Sequence, residues 1–235
     1  MADSTSSVGV LTNIFTAPQA AFAAIKERPS PWLPLLIVAI GYAAVSYLYL
    51  QVVDLPWMFD RQLSQGGGLT EEQRDQAVNA ALQISPTVYG VIGAVTTPLS
   101  LLVMYSLLAL YFTGVSFATN DGVKFGRWFG MIAWSMLPVL FGVAASFVNL
   151  LVTDARFLPQ EQLNPLSFGN LLGIDGEGAS MLERSLLSLS VIALWVVGLL
   201  IIGHQVFSQR SIVRSAVVVL APIVVIVLLG VLSAL

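Results

Sequence analysis

The chain has 235 residues, of which 57% are hydrophobic and only 10% are charged, and its formal net charge is −3. Since soluble domains carry roughly 25% charged residues, this composition excludes an ordinary soluble domain and indicates a protein embedded largely in lipid. The absence of cysteine from the sequence excludes disulfides, thiolate metal sites and cysteine nucleophiles.

The amino-terminal segment, residues 1–31, is predicted to be cytoplasmic and to contain one short helix. Its first seven residues are polar and acidic, without the pattern of a signal peptide, so we expect none. Thr16 and Gln19 have the spacing of a capping box, and Pro18 suits the first turn of a helix. Phe22 and Ile25 share one face of that helix. The helix is expected either to lie in the membrane interface or to pack under the spans, and the sequence favours neither.

Five stretches lack Asp, Glu, Lys and Arg, and they are residues 29–53, 76–120, 128–153, 185–209 and 215–235. A helix needs about 20 apolar residues to cross a hydrocarbon core of ~30 Å. Pro86 divides the second stretch and leaves its apolar part on the carboxy-terminal side. We predict an all-α polytopic membrane protein with a five-span domain over residues 32–235. Its spans are expected at about 32–53, 87–112, 128–152, 186–207 and 215–235, with external loops at 54–86 and 153–185.

The basic residues are distributed unevenly between the two sides of this topology. Six lie on the amino-terminal side and four on the other, and these are Lys26, Arg28, Lys124, Arg127, Arg210 and Arg214 against Arg61, Arg74, Arg156 and Arg184. Because basic residues favour the cytoplasmic side, we expect the amino terminus in the cytoplasm. An odd number of spans then places the carboxy terminus outside.

Both predicted external loops contain signals of local structure. In the first loop, residues 66–68 are three glycines and predict a flexible joint. Thr70 and Gln73 follow at capping-box spacing and predict a short external helix. In the second loop an apolar stripe is expected to dip into the outer interface, and its members are Leu163, Leu166, Phe168, Leu171 and Leu172.

No predicted span contains Asp, Glu, Lys or Arg, which argues against a proton relay, a voltage sensor or a carboxylate-bound metal. The only histidine, His204, is expected to pair helices or to lie at the interface, with pH sensing or a ligand contact as the alternative. Ser135 lies in another span and would reach His204 only by coincidence. No phosphate-binding loop or dinucleotide fingerprint is present. We therefore predict a protein that is not an enzyme and has no catalytic residue, cofactor or metal.

The spans carry residues that let helices pack closely or bend. Gly126 and Gly130 have the GxxxG spacing of close helix pairs. Pro98, Pro138 and Pro222 are each expected to bend a span. Bends of this kind can frame a polar cavity, for which the available groups are Thr96, Thr97, Ser100 and Ser135.

Four motifs, taken in this order, resemble the Yip-domain family of polytopic membrane proteins, and its prokaryotic branch in particular. They are IFTAPQAAF at residues 14–22, FGRWFGMIAWSMLP at 125–138, LNPLSF at 163–168 and WVVGLLIIG at 195–203. The resemblance covers nearly the whole chain from about Val10 and implies five spans with an exposed amino terminus. In eukaryotes the family implies Golgi and endoplasmic-reticulum proteins that associate with one another and with prenylated Rab GTPases. This chain lacks the long cytosolic amino-terminal region and the Asp-Leu-Tyr-Gly-Pro motif of that branch, which argues against GTPase binding.

The prokaryotic resemblance implies a multi-pass protein of the bacterial inner membrane that accompanies ABC-type exporters or serves envelope maintenance. We therefore predict an adaptor or organiser of other membrane proteins. Its expected partners are the lipid bilayer and either a membrane protein or a second copy of the chain, with no nucleic acid. The alternative is a transporter or lipid-handling protein with a cavity between the proline-bent helices. The candidate interaction or structural residues are Pro18, Phe22, Gly126, Gly130, Pro138, Phe168 and His204.

Overall fold

The structure is a computed structural model that describes residues 7–27, 30–66, 68–174 and 181–232. Residues 1–6, where no signal peptide is expected, lie outside these ranges. The described part of the chain forms helices without a β-strand, which confirms the predicted all-α class. The α-helices are α1 Ser7–Thr16, α2 Pro18–Glu27, α3 Trp32–Val52, α4 Leu55–Gly66, α5 Glu71–Ala81, α6 Pro86–Thr119, α7 Phe125–Ser135, α8 Val139–Val152, α9 Phe168–Leu172, α10 Met181–Ser188, α11 Val191–Ser208 and α12 Ile212–Leu232.

Four described helices, α3, α6, α11 and α12, are long and apolar enough to cross a membrane, and a fifth crossing results if α7 and α8 form one span. The chain is therefore a multi-pass membrane protein. α6 has 34 residues and continues to Thr119, past residue 112, where the sequence indicates the end of its apolar core. At roughly 1.5 Å per residue α6 is about 51 Å long, well beyond the ~30 Å of a hydrocarbon core.

The predicted third span is bent at Pro138. α7 ends at Ser135, α8 begins at Val139, and the two helices are bent by 43° at this break. Proline has no N–H with which to continue the helical hydrogen bonds, so the bend has a local cause. By contrast, α6 and α12 continue through Pro98 and Pro222 without interruption.

The amino-terminal segment contains two helices rather than one. Thr16 is the last residue of α1, and its Oγ1 donates to Thr12 O at 3.1 Å instead of capping α2. The predicted capping box at Thr16 is therefore wrong, because this hydroxyl bonds the preceding turn of a helix that extends upstream. Pro18 is the first residue of α2. The N–H that proline lacks would have no helical partner at this position, so the helix loses no hydrogen bond.

α2 packs along α11 and runs in the same direction. Just before α2, Phe15 meets Trp195 with ring centroids 5.6 Å apart. Near the end of α2, Lys26 Nζ donates to Val206 O at 3.1 Å. Phe22, between these two contacts, is fully buried. Of the two alternatives for this segment the contacts support packing against the spans, and a location in the membrane interface stays a prediction.

The core lies where α2, α6, α7 and α11 meet. Its largest fully buried side chains include Trp128, Tyr105, Phe22, Phe112 and Phe207. In lipid there is little hydrophobic drive to bring helices together, so close packing of such side chains is what stabilises the bundle.

The first of the two loops predicted to be external, residues 54–86, folds against the end of α3. Leu55 and Met58 of α4 are buried against Tyr49 in a second, smaller apolar cluster, and the sequence did not predict this helix. At the start of α5, Thr70 accepts a hydrogen bond from Gln73 N, and the Gln73 side chain accepts one from Thr70 N. The predicted capping box at Thr70 is confirmed, while Gly67 of the predicted joint lies outside the described residues.

The second loop predicted to be external is held by side-chain amides. Asn149 of α8 donates from Nδ2 to Leu163 O at 3.1 Å. Asn170 of α9 donates from Nδ2 to Gln162 O and to Asn164 O, both at 2.8 Å. These bonds give the loop a defined path across the ends of the spans.

Candidate functional site

The structure distributes the seven predicted residues over three kinds of position. Three of them are buried in the core, namely Phe22, Gly130 and His204. Two mark the start or the break of a helix, namely Pro18 and Pro138. The last two, Gly126 and Phe168, lie closer to the surface. Phe22 therefore packs inside this chain and is not part of an exposed contact face. Phe168 begins α9, is half-buried, and donates from its backbone N–H to Leu189 O at 2.8 Å.

The predicted close helix pair at Gly126 and Gly130 is not found at Gly126 in the part of the chain that the structure describes. Gly130 is buried, but a Cβ built at Gly126 would meet nothing within 4 Å. A close approach occurs instead at Gly203, where a Cβ would lie 2.6 Å from Met131 Sδ. Spacing predicts which small residues share a face, but not which face is covered.

His204 lies at the junction of four helices. Its side chain is 2% exposed, and Nδ1 lies 3.0 Å from Ser215 Oγ of α12 and 3.4 Å from Ser208 Oγ of its own helix. The imidazole stacks on Trp128 of α7, with centroids 5.2 Å apart and planes 13° apart, and lies 5.5 Å from the ring of Phe112 of α6. Nε2 is buried and has no hydrogen-bond partner among the described residues. These contacts join α11 to α6, α7 and α12.

Among the described residues, a catalytic arrangement of His204 with a serine can be checked against the contacts. Ser135 is fully buried and donates to Met131 O at 2.9 Å, not to His204. Ser215 is within hydrogen-bond reach of His204, but its side chain is fully buried. A catalytic nucleophile and base also need a group that orients the base, and they need access for the substrate. Within the described ranges no group bonds His204 Nε2, so no orienting group is present there. The same ranges contain no group of three or more His, Cys, Asp or Glu side chains placed to hold a metal.

A cavity of about 400 Å³ adjoins His204 between the end of α6, α11 and the start of α12. We term it the arginine cavity; its polar lining is Thr119, Asp121, His204, Arg210 and Arg214, and its apolar lining is Val115, Val213, Val217 and Val218. Arg210 Nη2 donates to Thr119 O at 2.7 Å. Asp121 accepts hydrogen bonds from Thr119 Oγ1 and Val123 N, at 3.0 and 3.2 Å. The cavity thus has a charged mouth and an apolar wall.

A second cavity of about 330 Å³ lies between α3, α6 and α8, beneath the second external loop. Ser46, Thr97 and Ser146 line its helical part, and Glu161 and Asn164 line its loop part. The sequence predicted one cavity for Thr96, Thr97, Ser100 and Ser135, and the structure does not bring these four together. Only Thr97 lines this cavity, since the other three are on the outside of α6 or in the core.

The outward face of α6 carries small residues. The face consists of Thr96, Ser100, Val103, Leu107, Leu110, Gly114 and Ala118, all exposed and spaced three or four residues apart. It contains two pairs of small residues four apart, one near each end. Thr96 Oγ1 donates to Ile92 O and Ser100 Oγ donates to Thr96 O, both at 2.9 Å, so these hydroxyls are bonded within their own helix.

Comparison with known families decides the classification. The family model described as the Yip1 domain matches residues 12–235, from inside α1 to the end of the chain. The chain belongs to the Yip1 domain family. The match confirms the resemblance drawn from the four motifs, and the prokaryotic branch stays a prediction. No curated protein and no solved structure matches this Yip1 domain.

Sequence reasoning missed most of what surrounds the histidine of this Yip1 domain. Ser208 is detectable, because it follows His204 by four residues and shares its helix face. Phe112, Trp128 and Ser215 come from three other helices, so their meeting depends on tertiary packing. Arg210 and Arg214 enter the sequence argument only as topology signals, although the structure places both at one cavity.

Proposed function

We propose that this Yip1-domain protein is a non-enzymatic adaptor or organiser that binds other membrane proteins, or a second copy of itself, through the outward face of α6. The observation that carries the proposal is the exposure of two small-residue pairs on that face, Thr96 with Ser100 and Gly114 with Ala118. A Cβ built at Gly114 would meet nothing within 4 Å, so the backbone there is open to a partner helix.

The physical argument concerns how helices pair in lipid. Because lipid tails are as apolar as leucine, helices associate through close backbone approach rather than through the hydrophobic effect. Small residues four apart permit that approach. The hydroxyls of Thr96 and Ser100 already bond their own helix, so a partner covering them would bury no unpaired polar group.

The rest of α6 leaves this face available. α6 packs mainly on α3 and α7. Between the two small-residue pairs, Leu107 and Leu110 are each more than half exposed. A partner helix would therefore find an uninterrupted strip of about six turns, from residue 96 to residue 118.

The absence of cysteine from the sequence allows a direct test by disulfide crosslinking in native membranes. Ser100→Cys is expected to give a crosslinked dimer, or a crosslinked complex with another membrane protein, on mild oxidation. Val148→Cys is the matched control, since Val148 is 54% exposed on α8 and lies off the face. Equal crosslinking of the two variants, or none from Ser100→Cys, contradicts the proposal.

A second variant tests whether the contact is a close one. Gly114→Ile adds a branched side chain at an exposed position and is expected to reduce the Ser100→Cys crosslink strongly. Unchanged crosslinking in the double variant would mean that the helices do not approach at Gly114.

The finer assignment concerns the partner. The prokaryotic resemblance supports an ABC-type exporter or an envelope-maintenance system, and the Ser100→Cys crosslink provides the means of capture. An ATPase subunit in the crosslinked complex would support the exporter. A complex containing only this chain would support a homo-oligomer instead.

The proposed location is the bacterial inner membrane with the amino terminus in the cytoplasm. The excess of basic residues on the amino-terminal side supports this orientation. Cysteines at Asn120 and Leu69 are expected to react with a membrane-impermeant thiol reagent from opposite sides of the membrane. Labelling of both from the same side would contradict the topology.

The second candidate is a transporter or lipid-handling protein, and the polar cavity lined by Ser46, Thr97 and Ser146 favours it. Purified protein in liposomes would then move a solute or lipid, and Thr97→Val would reduce the rate. Liposomes that move neither would remove this candidate.

A further inference from the structure

We propose that the arginine cavity binds an anionic phospholipid, with the phosphate between Arg210 and Arg214 and an acyl chain along the valine wall. The proposal goes beyond the adaptor function and does not depend on the outward face of α6. It rests on the position of the cavity, its charges and the continuity of its apolar wall with the lipid-facing surface.

The cavity lies at the level of a membrane surface. α11 ends at Ser208 and α12 begins at Ile212. Both helices are long and apolar enough to be spans, so the short connection between them must lie where the hydrocarbon ends. Arg210 is in that connection and Arg214 is in the first turn of α12. Basic groups at this depth face the phosphates of the surrounding lipids.

The two arginines carry positive charge that no described carboxylate neutralises, although Arg210 Nη2 donates one hydrogen bond to Thr119 O. Neither forms a salt bridge with a carboxylate in the part of the chain that the structure describes. Asp121 lines the same cavity, but its carboxylate already accepts hydrogen bonds from Thr119 and Val123. The charged mouth therefore carries two positive charges and one negative charge. Each guanidinium group presents several N–H donors in one plane, which suits the oxygen atoms of a phosphate.

The apolar wall favours a lipid over a free anion. Val213 and Val217 of α12 are 69% and 65% exposed, so the wall continues into the outer surface of α12. Val115 of α6 and Val218 of α12 form the inner part of the wall. A volume of about 400 Å³ lies within the range of ligand pockets, roughly 300–1,000 Å³. A headgroup at the arginines would thus have its acyl chain directed along α12 into the bilayer.

The test is lipid binding to the purified full chain, measured by native mass spectrometry with dioleoyl phosphatidylglycerol and dioleoyl phosphatidylcholine. Arg210→Gln with Arg214→Gln is expected to weaken phosphatidylglycerol binding about tenfold or more, because two charge-assisted contacts are lost. Lys124→Gln with Arg127→Gln is the matched control. It removes the same charge on the same side, from residues that do not line the cavity, and is expected to change binding less than about twofold.

Further arms distinguish the lipid from other anions. Inorganic phosphate at millimolar concentration is not expected to displace phosphatidylglycerol. Val217→Trp is expected to weaken phosphatidylglycerol binding, because the larger side chain fills the space beside the apolar wall. The proposal is overturned if the arginine double variant and the lysine–arginine control lose phosphatidylglycerol binding equally, or if neither loses it. If inorganic phosphate alone displaces phosphatidylglycerol, or if Val217→Trp binds phosphatidylglycerol with unchanged affinity, the ligand is not a lipid.

Discussion

Trp128 Nε1 donates a hydrogen bond of 2.8 Å to Ser116 Oγ, and both side chains are buried. The bond joins α7 to the last turn of α6, beside the imidazole that stacks on the same indole. Because neither group has access to water, each depends on the other to satisfy its hydrogen-bonding capacity.

Trp128→Phe is therefore expected to lower the free energy of unfolding by about 1–3 kcal/mol, since it leaves the Ser116 hydroxyl without its donor. The change is measured by unfolding the protein in denaturing detergent and monitoring the loss of helix by far-UV circular dichroism, which avoids tryptophan fluorescence as the signal. Trp195→Phe is the control, because the Trp195 indole donates no hydrogen bond to the described residues and its side chain is 40% exposed. A loss as large in the control would show that ring size, and not the bond, determines the effect.

Gly203→Ala is expected to destabilise the bundle by about 1–3 kcal/mol through overpacking. The new Cβ would lie 2.6 Å from Met131 Sδ and 3.1 Å from Phe22 Cε1, and both of these side chains are fully buried. Gly198→Ala in the same helix is the matched control, since a Cβ there meets nothing within 4 Å. That variant is expected to be neutral or slightly stabilising. Thermal unfolding in mild detergent compares the two, and equal stabilities would contradict the packing.

Asn170→Ala is expected to loosen the second external loop, because one amide group donates to both Gln162 O and Asn164 O. Limited proteolysis of protein in nanodiscs should cut the loop several times faster in the variant. Leu172→Ala provides the control in the same short helix, since Leu172 is 67% exposed. If both variants are cut at the wild-type rate, the two amide bonds do not determine the order of the loop.

Lys26→Met is expected to release the end of α2 from α11 by removing the hydrogen bond from Lys26 Nζ to Val206 O. A charge-assisted bond contributes about 1.5–3 kcal/mol, so hydrogen exchange over residues 18–27 should speed up by about tenfold or more. Lys124→Met is the control, because Lys124 is exposed at the start of α7. Unchanged protection of α2 in Lys26→Met would show that Phe22 and its neighbours hold the helix without the lysine.

The spans could be predicted from the sequence because the hydrocarbon core penalises every ionised side chain, so each crossing leaves a stretch without charge. The bend at Pro138 and the capping box of Thr70 with Gln73 were also predictable, since both depend on residues close together in the sequence. Such signals need no knowledge of what packs against them.

The remaining features depend on contacts between distant segments. Phe22 has the pattern of an amphipathic helix whether lipid or α11 covers it, so its burial could not be read from periodicity. The partners of His204 are separated by up to 103 positions, from Phe112 to Ser215. Thr96 and Ser100 look like the lining of a polar cavity in the sequence, yet they bond their own helix on its outer side. In a chain with so few charges, polarity along a span does not reveal which side faces inward.

The length of α6 affects the loop that precedes it, residues 54–86. Even at a tilt of roughly 40°, the upper end of the usual range, a rod of about 51 Å still rises about 39 Å and exceeds a ~30 Å oil layer. The first turns of α6 carry Tyr89, whose hydroxyl donates to Ala81 O of α5 at 2.8 Å and whose ring lies 5.2 Å from Phe59 of α4. The beginning of α6 therefore holds α4 and α5 in place, and the surplus length allows it to extend beyond the hydrocarbon with both helices attached.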